Sequence, residues 1–84
     1  MSTNPEFQRT DDEIVNLLSQ WLMRTLGNDE LRKRIEEIGT AELAPGQRAA
    51  VEELLTSLAG ALPGETGGLE MVVRETIEAL AYGE

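Results

Sequence analysis

The chain has 84 residues, sixteen of them acidic and seven basic, a formal charge of −9, and neither histidine nor cysteine. Those absences exclude disulfide staples, thiolate or imidazole metal sites, and Ser-His-Asp or Cys-His catalysis. The length allows one domain, whose core supports only about 3–5 kcal/mol of net stability unless a second copy joins it.

Residues 1–9 hold Ser2, Thr3, Asn4 and Pro5 with only Phe7 as an apolar anchor, and read as a flexible tail ahead of a single helical domain over 10–84. Thr10 followed by Glu13 has the spacing of a capping box, and Asp11 and Asp12 complement the helix dipole. Ile14, Leu17, Leu18, Trp21, Leu22, Thr25 and Leu26 then recur at helical spacing up to Gly27, the expected stop of the first helix. Asn28 or Asp29 is placed to cap a second helix with Leu31, Ile35 and Ile38 on one face, ended by Gly39.

Leu43-Ala44-Pro45 opens a third helix, since a proline at the first helical position gives up an amide that has no partner anyway. Its stripe is Val51, Leu54, Leu55, Leu58 and Leu62. The run Pro63-Gly64-Glu65-Thr66-Gly67-Gly68 breaks the pattern and reads as a mobile linker. A fourth helix carries Leu69, Val72, Val73, Thr76, Ile77 and Leu80 on one side and ends at Gly83. No segment alternates with the period of a strand. The expected fold is all-α, a small antiparallel bundle of four short helices.

The apolar arcs are wide. Val15 and Met23 lie off the main stripe of the first helix, and Met71 and Tyr82 off that of the fourth. One neighbour cannot cover an arc much wider than about 100°. These four residues, with Trp21, whose indole N–H seeks a partner, are the candidate interface for a second copy or another protein.

The charged groups read as solvated surface. Neighbours along a helix point about 100° apart, so Asp11-Asp12, Glu36-Glu37 and Glu52-Glu53 do not converge on a ligand. The one basic cluster, Arg32-Lys33-Arg34, has Asp29, Glu30, Glu36 and Glu37 one turn away, a self-compensated arrangement. The negative charge is spread, −4 over residues 1–44 and −5 over 45–84. A field of that sign repels phosphate backbones and anionic lipid, so neither direct nucleic-acid binding nor a membrane partner is expected.

In length, helix number and acidity the chain resembles the acyl carrier proteins. That family attaches phosphopantetheine to a serine in an Asp-Ser-Leu context. Here Ser19 stands in Leu18-Ser19-Gln20, Ser57 follows Thr56, Ser2 is in the tail, and no Asp-Ser-Leu occurs. The attachment chemistry does not carry over, and no cofactor is expected.

The sequence thus points to a non-catalytic protein–protein interaction module that forms a homodimer, docks on a partner protein, or both. The alternative is a module that holds a small apolar ligand between its helices, lined by Met23 and Met71. With no apolar signal segment at the N-terminus, the expected location is cytoplasmic. Arginine outnumbers lysine six to one, a bias associated with GC-rich bacterial genomes.

Overall fold

Four stretches of apolar residues at helical spacing become four helices. The computed structural model describes residues 9–62 and 64–83, and among these there is no strand. The helices are α1 (Thr10–Leu22), α2 (Asn28–Ile38), α3 (Pro45–Gly60) and α4 (Gly67–Tyr82). Each packs against two others, α1 on α2 and α4, and α3 on α2 and α4. Their buried faces make one core: Ile14, Leu17, Leu18 and Trp21 from α1, Leu31 and Ile35 from α2, Val51, Leu54 and Leu58 from α3, and Leu69, Val73 and Leu80 from α4. Leu43, in the α2–α3 connection, closes one end of it. No described helix is long and apolar enough to cross a membrane.

Most of the expected tail, residues 1–8, lies outside the described residues. Arg9 is the N-cap of α1, in extended backbone, and Thr10 already belongs to the helix. The Thr10–Glu13 capping box therefore does not form. Asp11, only 8% exposed, replaces it from inside the first turn: its Oδ1 accepts the Asp12 amide at 2.8 Å. Its Oδ2 accepts the Arg9 guanidinium at 2.9 Å. The Thr10 hydroxyl instead donates to Glu42 at 3.3 Å, across to the α2–α3 connection.

Helix α1 also ends earlier than its apolar period implies, at Leu22 instead of next to Gly27. Arg24 takes a left-handed backbone, φ 65°. The Arg24 amide returns to the Trp21 carbonyl and the Thr25 amide to the Gln20 carbonyl, both at 3.0 Å, which is the Schellman pair of bonds. The turn still brings Leu26 back against the core.

Asn28 and Asp29, the two expected caps of α2, are its first two helical residues, and the cap position falls to Gly27. The Asn28 side chain is committed elsewhere. Its Oδ1 accepts the Trp21 indole N–H at 2.6 Å, and its Nδ2 donates to the Glu65 carbonyl at 2.9 Å. Gly39 ends α2 at φ 82°, ψ 174°, a conformation essentially restricted to glycine.

Pro45 opens α3 as expected. The helix stops at Gly60, and Ala61 is extended, so Leu62 leaves the predicted stripe and stands 71% exposed. A proline follows Leu62 in the sequence, and the residue before a proline is driven out of the helical region.

Pro63 itself lies outside the described residues, but the rest of the α3–α4 connection is tied in place where a mobile linker is expected. Glu65 accepts the Leu62 amide on its carboxylate at 3.0 Å, and its carbonyl holds Asn28. Gly83, left-handed at φ 79°, terminates α4.

At the opposite end of the bundle from the Trp21–Asn28–Glu65 link, Gln47 joins three helices. Its Oε1 accepts the Ala44 amide at 2.9 Å, and its Nε2 donates to the Leu80 carbonyl at 2.9 Å and lies 3.5 Å from Asp11 Oδ2. These cross-links put the N-termini of α1 and α3 beside the C-terminus of α4. The helices accordingly run up, down, up, down.

Candidate interaction surface

The five candidate interface residues separate into two groups. Val15 is half-buried and packs against the core. Trp21 is 4% exposed, with its indole N–H bonded to Asn28. Both are held within the chain because α1 has neighbours on two sides, α2 and α4, which together cover its wide arc. Met23, Met71 and Tyr82 remain on the surface, at 71, 68 and 80% exposure. Leu62 joins them as a residue that periodicity assigns to the core.

Their positions differ. Met23 follows the last residue of α1, and Leu62 sits in the α3–α4 connection. Met71 and Tyr82 stand on the same outer stripe of α4: eleven residues apart, they differ by about 20° around the axis and about 16 Å along it. Between them on that face lie Arg74, Glu75 and Glu78, all exposed. Helix α4 fills the core with Leu69, Val73, Thr76 and Leu80, and none of the described residues covers its outer stripe. Thr76 does not disturb the buried face, because its hydroxyl donates to the Val72 carbonyl at 2.8 Å.

Electrostatically the surface is acidic with local compensation. Arg34 pairs with Glu30 at 2.8 Å and Arg32 with Glu36 at 3.3 Å, each one turn apart on α2, so this part of the basic cluster is neutralised on its own helix. Arg24 lies 3.8 Å from Glu70, joining the end of α1 to the start of α4. Among the described residues, neither Arg74 nor Glu78 forms an ion pair. No group of three or more carboxylates among the described residues is arranged to hold a metal ion. Met23 and Met71, expected to line a pocket between the helices, both face outward.

Gln47 is the structural residue that hydrophobic patterning passes over, since it reads as an exposed polar side chain. The available signal is its position three residues after Ala44, where a capping box places Glu or Gln. No protein-family model, no curated protein and no solved structure matches the chain.

Proposed function

We propose that the chain is a non-catalytic interaction module that works as a homodimer and presents an acidic surface to a basic partner protein. The observation that carries this reading is the outer stripe of α4, where Met71 and Tyr82 stand 68 and 80% exposed on a helix whose other side is fully used by the core. Covering that stripe with a second copy removes apolar surface from water and adds stability that a core of this size lacks. The composition supports a non-catalytic role, because histidine and cysteine are both missing. The charge of −9 leaves the exterior of such a dimer strongly negative, which suits a complementary basic surface and speeds encounter with it.

Sedimentation equilibrium over a range of concentrations tests the self-association directly. Met71→Asp, which sets a carboxylate on the stripe, is expected to shift the population to single chains while leaving the helical circular dichroism unchanged. A variant that self-associates as strongly as the parent would remove α4 from the account.

A further inference from the structure

The outer stripe of α4 is self-complementary. In a two-fold contact between antiparallel helices, residue i of one copy meets residue j of the other, and j meets i. Each such pair must therefore be centred on the same height of the helix. The midpoint of Met71 and Tyr82 falls between Thr76 and Ile77, and the midpoint of Arg74 and Glu78 falls at Thr76. The two agree to within half a residue, about 0.8 Å along the axis. The flanks agree as well: at 100° per residue, Arg74 and Glu78 lie on one side of the line through Met71, and Glu75 and Tyr82 on the other. A two-fold axis across the contact keeps each flank against its own counterpart.

We propose that two copies dock α4 against α4 in antiparallel register, with the axis at the height of Thr76. Met71 then meets Tyr82 of the partner subunit, and Arg74 meets Glu78 of the partner subunit, each contact occurring twice. The thioether suits the edge of an aromatic ring. Arg74 and Glu78, one turn apart yet without an ion-pair partner among the described residues, become paired across the interface. Glu75 meets its own counterpart near the axis on the other flank, a like-charge contact that weakens the dimer. This register rests on the homodimer reading above and adds its geometry.

Charge reversal separates the register from bulk repulsion. Arg74→Glu makes the −9 chain two charges more negative, and Glu78→Arg makes it two less so. Net repulsion alone moves the two variants in opposite directions. The proposed register requires both to weaken association, by about five- to tenfold, because each converts two attractive pairs per dimer into repulsive ones. The double variant Arg74→Glu/Glu78→Arg restores the parent affinity, and Glu75→Gln tightens it.

The measurement is sedimentation equilibrium at about 0.15 M salt, where charges beyond roughly 8 Å are screened. A dimeric parent with unchanged single variants, or with no rescue in the double, overturns the register and leaves self-association standing. A parent that remains a single chain throughout overturns the homodimer reading itself.

Discussion

Gln47 ties three helices together, since its amide group serves the start of α3, the end of α4 and the carboxylate of Asp11 at once. Replacing it with leucine keeps the volume but strands the Ala44 amide and the Leu80 carbonyl. Gln47→Leu is expected to destabilise the protein by about 2–3 kcal/mol, given the penalty for unsatisfied buried groups. In urea denaturation this appears as a lower midpoint at unchanged slope. Arg24 presents the opposite case. Its left-handed backbone is strained for a residue with a β-carbon, and its ion pair with Glu70 joins two well-exposed groups at 3.8 Å. Arg24→Gly relieves the strain at the expense of unfolded-state entropy, and a net stabilisation of about 0.5 kcal/mol is expected from thermal unfolding. The N3 spacing of Gln47 signals only its bond to the Ala44 amide, and its links to Leu80 and Asp11, more than thirty residues away, leave no mark in the local sequence. The Arg24 turn was not legible either, because arginine carries no turn signature and Gly27, three residues on, offers the stronger local stop.

Among the elements, helix number and buried faces were legible because apolar period reports which side chains face the core. Helix ends were less so, because the same period continues through residues that reach the surface or the core from a turn. Leu26 packs on the core from beyond the end of α1, whereas Leu62 continues the α3 pattern and is exposed. The capping box at Thr10 is replaced for a partly tertiary reason: Asp11 is buried beside Gln47 and serves the first turn itself. The corner between α1 and α2 likewise depends on a bond that spacing does not reveal, from Trp21 to Asn28 and on to Glu65. Asn28→Ala leaves the buried indole N–H unpaired, an expected loss of about 1–3 kcal/mol. Asn28→Asp keeps the acceptor for the indole but removes the donor to Glu65. It is expected to retain the emission of the single tryptophan while hydrogen exchange at residues 64–66 accelerates. Equal loss of the tryptophan signature in both variants would show that the two bonds do not separate in this way.

On the scale of the whole molecule, wide apolar arcs signalled surplus apolar surface but not where it lies. That depends on where the neighbours of each helix sit: α2 and α4 cover the parts of α1 that carry Val15 and Trp21, whereas α1 and α3 pack on α4 away from Met71 and Tyr82, which no described residue covers. Met23 and Leu62 are exposed singly outside the helices, while Met71 and Tyr82 share one stripe of α4, a narrow surface on a chain whose charge of −9 opposes association. In the proposed register, Arg74 against Glu78 of the partner subunit would offset part of that repulsion. The most direct test of this account is the mass of the unmodified protein by sedimentation equilibrium, from low micromolar to a few hundred micromolar. A homodimer built on α4 gives a concentration-dependent rise to twice the 9.2 kDa of one chain. A constant single-chain mass over that whole range, with the helices intact, would contradict it.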